Sequence, residues 1–346
     1  MGAGTIADIT EPAKRAFAMS IFLMGPQLGP VLGPVLGGAL AGAASWRWIF
    51  GFLAILAFCI WLLILFALPE TLRYRVGNGR IYQGKSFLIF PPTLSSKTVP
   101  DEQRGPKPPK PTAKMFWNLF LYPPIGIVSF NSSLLFAGFY SIATSQPSIL
   151  GERYHWSTVE VGLAYLAPGL AMVSGSLIGG RFSDWHRAHL LRKTENGTVE
   201  PETRLMNQIW GVLVAASGTL IYGWTTQYRV HPAVVLIATS LAGGGMSWVF
   251  VTSTSYCTEV VPAQAAAVVA LGNMLRNPAA AVAAAIIEPL TNSMGLGWCF
   301  TGLALLELIV VGGLVILLRI RSPYWRRQRV ARLAAAKRPG LSQPPK

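Results

Sequence analysis

The chain has 346 residues, 52% of them hydrophobic and 12% charged, with a formal net charge of +15. A mean hydropathy of +0.44 excludes an ordinary pair of soluble domains and points to an integral membrane protein. The basic excess carries no aromatic-interleaved domain of the kind that binds nucleic acid, so a nucleic-acid partner is excluded as well.

Apolar residues gather into stretches close to the 20 or so needed to cross about 30 Å of hydrocarbon. Eight are expected, at about 17–41, 48–68, 122–145, 160–180, 206–225, 232–254, 265–288 and 297–318. A lead of residues 1–15 precedes the first. That first stretch contains GPQLGPVLGPVLGG, with Gly25, Gly29, Gly33 and Gly37 four apart and Pro26, Pro30 and Pro34 one position behind. Each proline would cost roughly 3 kcal/mol in a soluble helix. In a bilayer, neighbouring helices can re-satisfy the freed backbone groups. Glycines four apart share a face and admit a second backbone, so the sequence predicts a bent membrane helix with a smooth groove.

A tight turn near Gly42–Arg47 leads to the second stretch, and residues 1–70 form a two-span piece. Residues 71–114 (DEQRGPKPPKPTAK at their end) read as a disordered or polyproline linker, too polar to bury anything. Residues 115–318 form a six-span bundle with a medium loop at 181–205, and residues 319–346 a basic tail. The basic residues are strongly one-sided. Lys14 and Arg15, nine between Arg73 and Lys114, five between Arg181 and Arg204, and nine from Arg319 to Lys346 fall on one side of an eight-span threading. This bias places both termini in the cytoplasm, with the tail on the anionic inner leaflet.

Several signals are bland. Cys59, Cys257 and Cys299 are isolated small core residues with no redox or ligand spacing. His186 and His189, three apart beside Asp184, read as a solvated basic loop rather than a metal site. The sequons at Asn131 and Asn196 fall in a span and an inner loop, so neither is expected to be glycosylated. No Ser-His-Asp, HExxH or phosphate-cradling loop is present, so the chain is read as no enzyme and as calling for no cofactor or metal.

GPVLGPVLGGAL (Gly29–Leu40) resembles the fifth-span antiporter motif g-x-x-x-G-P-x-x-G-G-x-l of the major facilitator superfamily, in its twelve-span drug:proton antiporter branch. Gly29, Gly33, Pro34, Gly37, Gly38 and Leu40 meet the pattern. WRWIF (Trp46–Phe50) and LPETLR (Leu68–Arg73) look like the two ends of that family's sixth span, and GAGTIADI (Gly2–Ile9) like the turn before its fifth. GRFSDW (Gly180–Trp185) is similar to the signature turn after the eighth span, matching at Gly180 and Asp184 but departing at Trp185 and Arg187. VGNG (Val76–Gly79), SQPSI (Ser145–Ile149) and GLAYLAPG (Gly162–Gly169) resemble fungal quinidine-resistance-type exporters.

The resemblance implies an all-α membrane fold: a major facilitator helical bundle of eight transmembrane helices, spans five to twelve of the usual twelve. Spans one to four would then be missing, as in an N-terminally truncated gene product. It implies a proton-coupled carrier in the plasma membrane, exporting a small organic substrate such as a drug or fungal metabolite, with the lipid bilayer and protons as its other partners. The alternative is a non-transporting remnant that only associates with other membrane helices.

The family's packing would set the glycine face of the first span against 160–180, at Gly175 and Gly179, as a sliding seam; ordinary small-residue packing is the other reading. Asp184 would help set a cytoplasmic gate. Arg276 falls mid-span in LGNMLRNPAAA, where a charge costs on the order of 3 kcal/mol. With Asn273 and Asn277 it forms a polar patch on a helix that lines the cavity in the family. It would bind an anionic substrate group, pair with a carboxylate, or cap carbonyls freed by Pro278. Asn131 and Tyr140 are cavity contacts or hydrogen-bond to neighbouring helices. Glu307, in LALLELIVV, reads as paired or merely tolerated rather than substrate-binding; Glu259 and Glu288, at span ends, orient loops; a raised pKa could make any of the three a proton carrier.

Overall fold

The computed structural model describes residues 15–67, 112–193, 200–261 and 264–336, and among them there is no strand. The N-terminal lead, most of the linker and the last ten residues lie outside these, together with the motif pieces at Gly2–Ile9, Leu68–Arg73 and Val76–Gly79 and the sequon at Asn196. Two compact units are present, one containing residues 15–67 and Trp156–Leu166, the other Ala113–His155 and Ala167 onward.

In the first unit, α1 (Arg15–Ala43) runs unbroken through Pro26, Pro30 and Pro34. It closes with Ala44 N–H on the Leu40 carbonyl at 3.0 Å. Ser45 then caps α2 (Trp46–Ala67), its hydroxyl accepting from Arg47 N–H at 3.4 Å. Trp48 is 61% exposed and Leu63 66%, and the most apolar window of α2 buries nothing inside the protein. A helix that is hydrophobic all round with no protein cover is suited to lipid.

The third element is short. α5 (Thr158–Ala164) starts with a capping box in which Glu160 Oε2 accepts from Ser157 N–H at 2.7 Å and Ser157 Oγ accepts from Glu160 N–H at 3.4 Å. It packs on α1 through backbone. A Cβ on Gly38 would lie 2.9 Å from the Thr158 carbonyl, and one on Gly162 would lie 2.7 Å from the Pro34 carbonyl.

The second unit holds α3 (Ala113–Phe120), α4 (Pro123–Ser148, prolonged by a π turn Ile149–Arg153), α6 (Leu166–Lys193), α7 (Thr203–Met206), α8 (Gln208–Gln227), α9 (Pro232–Val260), α10 (Ala265–Met294), α11 (Leu296–Leu306), a π turn Glu307–Val311 and α12 (Gly312–Ala336). Its core is continuous through Phe139, Met172, Tyr222, Met246 and Phe300, with a second cluster about Ile125, Leu205, Tyr256 and Leu318.

The tightest helix pair is α8 on α9. Gly211, Ala215 and Gly218 face Ala238, Ala242 and Gly245, each set spaced four and then three. A Cβ on Gly218 would meet the Ala238 carbonyl at 2.7 Å, and one on Gly211 the Gly245 carbonyl at 3.0 Å. Lipid offers no hydrophobic drive between helices, so close backbone approach supplies the attraction.

Among the described residues seven helices are long and apolar enough to cross a membrane, and Leu28–Ala43 within α1 is a further, shorter apolar segment, so the expected count of eight is not confirmed. Two sequence expectations change. The predicted loop at 181–205 is helical to Lys193, because no Gly or Pro interrupts 181–193 and Arg192 and Lys193 suit the dipole of the last turn. Asp184 therefore sits within a helix rather than a turn. The last helix likewise runs past Leu318 to Ala336, including Pro323, so the basic segment continues the span instead of breaking from it.

Candidate functional site

Arg276 projects from the middle of α10 toward α4 and α9. Its guanidinium carbon stands 4.2 Å from the centre of the Phe250 ring and 5.0 Å from that of Phe136. Cation–π contacts of this kind contribute about 0.5–2 kcal/mol each, more as water is removed. Phe136 in turn lies 4.6 Å from the Tyr140 ring. Arg276 Nη2 donates to Asn273 Oδ1 one helical turn back, while its Nε is buried without a hydrogen-bond partner.

Among the described residues no carboxylate pairs with Arg276, and no hydrogen bond joins it to carbonyls freed by Pro278. Its charge is held in place but not neutralised. Beside it lies a pocket of about 30 Å³ whose polar lining is Ser129, Ser132, Ser253, Thr254 and Asn273. That is room for a water or two, each needing about 10–15 Å³ by this measure. In this form the site admits one small polar group rather than a whole molecule.

Asn273, Arg276 and, through Phe136, Tyr140 thus fall in one constellation. Asn131 does not join it. It is fully buried with both amide atoms unpartnered, and on α4 it lies off the face that carries Ser129 and Ser132 into the pocket.

A second cluster ties α6, α7 and α9 together. Arg204, 7% exposed, donates from Nη1 to Asp184 Oδ1 at 2.9 Å and to Ser183 Oγ at 3.3 Å, and from Nε to Glu259 Oε2 at 2.9 Å. Arg187 closes the chain on Glu259 Oε1 at 2.5 Å. The four charges alternate in sign, so each carboxylate meets a guanidinium. Gly180 is nearby but not essential to the packing, since a Cβ there would meet Val251 at an ordinary 3.6 Å. His189 stacks on Trp185, with ring centres 5.8 Å apart.

The glycines divide by surroundings. Gly29 and Gly33 have no heavy atom within 4 Å of an added Cβ among the described residues, and Gly37 only the Ile49 side chain at 4.0 Å. Gly38 makes the close approach to α5. Gly175 lies against the Gly244 backbone of α9, and a Cβ on Gly179 would meet the Trp248 ring at 2.7 Å. Gly175 and Gly244 also border an apolar groove of about 390 Å³ that runs past Ala171, Ile178 and Trp248.

Sequence reasoning did not find Phe136, Phe250 or Arg204. A phenylalanine beneath a cation carries no mark that separates it from one facing lipid. Arg204 had a signal, a single arginine just ahead of a span with carboxylates at the ends of two others.

This is a polytopic helical membrane bundle with a mid-span arginine and an ion-paired cluster joining α6, α7 and α9. The chain belongs to the Major Facilitator Superfamily, whose model matches residues 1–285. It is 36% identical over 348 aligned positions to "Dityrosine transporter 1" of Saccharomyces cerevisiae, covering 94% of this chain and 61% of that protein. To "Multidrug transporter DTR1" of Candida glabrata it is 34% identical, covering 94% and 64%. The chain spans about three fifths of the length of these curated relatives, which are named as transporters rather than enzymes. A solved structure, the human organic anion transporter MFSD10 (TETRAN), aligns with a TM-score of 0.48 and 18% identity, over 90% of this chain and 66% of that one.

Proposed function

We propose that this protein is a secondary transporter of the plasma membrane, both termini cytoplasmic, that exports a small amphipathic organic molecule bearing an anionic group in exchange for inward-moving protons. The observation that carries this reading is Arg276, a mid-span cation clamped between two aromatic rings and left without a counter-charge among the described residues. A permanent, half-buried charge in mid-span is costly, and an anionic substrate group entering beside Ser132 and Asn273 would relieve that cost. Phe136, Phe250 and Tyr140 would take the apolar part of the molecule. Dityrosine, which the yeast relative is named for, combines carboxylates with aromatic rings and fits this chemistry.

The glycine face about Gly29, Gly33, Pro34 and Gly37 is read as the contact surface of a moving helix, and Gly175 and Gly179 as small residues of the opposing seam. Asp184, with Gly180 four residues before it, belongs to a cytoplasmic gate that Arg204 holds.

The test uses everted membrane vesicles containing this chain, with an acid lumen and fluorescent dityrosine as probe. Accumulation that a protonophore abolishes supports the reading. Folded protein in the membrane with no accumulation defeats it and leaves a helix-associating membrane protein.

A further inference from the structure

We propose that Glu307 is a proton-binding site within the bundle, with Thr219 as its hydrogen-bond partner. The proposal rests on the transport reading above and deepens it by naming the group that carries the coupling proton.

Glu307 is 2% exposed and opens the π turn that separates α11 from α12. Single π turns inside helices are frequent at functional sites, because the extra residue re-aims a side chain. Here the side chain is aimed between α4 and α8. Oε1 lies so close over Gly138 of α4 that any Cβ at that position would collide with it. Oε2 lies 3.2 Å from Thr219 Oγ1 on α8.

The count of hydrogens at Thr219 is informative. Its hydroxyl also lies 3.1 Å from the Ala215 carbonyl, which can only accept. With Glu307 ionised, the one hydroxyl hydrogen of Thr219 is shared between two acceptors as a three-centre bond. With Glu307 protonated, its O–H donates to Thr219 Oγ1 while Thr219 donates to Ala215, so each contact has its own hydrogen. A protonated carboxyl therefore completes the network.

No cation competes for the role. The helical segments of α4 and α8 contain no charged residue, and their titratable side chains are Tyr140 and Tyr222. The one on α11 is Cys299, and the arginines of α12 begin at Arg319. Twelve residues separate Arg319 from Glu307, about 18 Å along a helix. Among the described residues no ion pair includes Glu307.

In the uptake step a proton delivered from water forms an O–H bond at Oε2, and that O–H donates to Thr219. In the release step the bond breaks, the proton returns to water, and the Thr219 hydroxyl turns from Ala215 to the carboxylate. Nothing besides the proton enters or leaves.

The test is infrared difference spectroscopy of the purified chain in lipid nanodiscs during a pH titration. Wild type should show a carboxylic C=O stretch that appears and disappears with pH, shifts in deuterated water, and is absent from Glu307→Gln. Thr219→Val, which keeps the carboxyl but removes its acceptor, should move the band in frequency without abolishing it and covers the case in which the glutamine variant fails to fold. A wild type without a titrating band, or a band that Glu307→Gln leaves unchanged, overturns the proposal. The readout needs no transport, so an intact band without flux defeats the transport reading alone. Proton-driven flux that survives Glu307→Gln defeats this proposal alone.

Discussion

Arg276 and Phe250 meet across α10 and α9 with the guanidinium carbon 4.2 Å from the ring centre, and the cation has no carboxylate partner among the described residues. The pair fixes where a positive charge stands inside the bundle. Arg276→Met should weaken binding of an anionic transport probe by roughly 10- to 150-fold, the equivalent of about 1.5–3 kcal/mol for a lost hydrogen bond to a charged group. Phe250→Leu should weaken it less, by the few-fold that about 1 kcal/mol of cation–π attraction allows. Arg276→Lys should not restore it fully, since an ammonium lacks the planar fork that lies on a ring. Half-saturation of uptake measures all three.

The cluster around Arg204 predicts an asymmetry in stability. The Arg204 side chain is 8% exposed, whereas Asp184 is 57% and Glu259 23%. Arg204→Met removes the bridge, leaving Asp184 without its guanidinium and Glu259 with Arg187 alone, at a cost of about 2–4 kcal/mol once partial solvation is allowed for. Asp184→Asn should cost no more than about 1 kcal/mol. Thermal unfolding in detergent distinguishes them, and equal losses would mean the cluster is not organised by Arg204.

Backbone contact between α8 and α9 predicts which glycines tolerate a methyl group. Gly245→Ala drives a Cβ into the Ala215 backbone and should destabilise by about 1–3 kcal/mol. Gly302, with nothing within 4 Å of its would-be Cβ among the described residues, should accept alanine at no cost or with a gain of up to about 1 kcal/mol in helix propensity.

The glycine motif of α1 separates a packing role from a transport role. Gly38→Leu collides with the Thr158 carbonyl and should lower the yield of folded protein. Gly33 has no heavy atom within 4 Å of an added Cβ among the described residues, so Gly33→Leu should accumulate normally while transport is lost if that face serves a moving helix. Paired immunoblot and uptake assays test both, and a fully active Gly33→Leu variant removes the seam.

Much of the fold was legible because membrane helices advertise themselves by length and apolarity. Trp46–Ala67 and Pro232–Val260 lie close to where hydropathy puts them. Helix ends were less legible. Residues 181–193 and 319–336 are polar and basic, which reads as loop, yet each continues a helix begun in the apolar segment before it. At the site, Arg276 was conspicuous as a charge where charges are expensive. Its aromatic clamp was not, because Phe136 and Phe250 are set by the rotation of two other helices. The same holds for Gly138 and Thr219, ordinary small residues until the π turn brings Glu307 between them.

The most direct measurement compares accumulation of an aromatic carboxylate and of its neutral ester by acid-lumen everted vesicles carrying wild type or Arg276→Met. The account predicts that wild type accumulates the carboxylate, that the variant half-saturates only at roughly 10- to 150-fold higher concentration, and that both handle the ester alike. Carboxylate accumulation by the variant at the wild-type rate and half-saturation would contradict it.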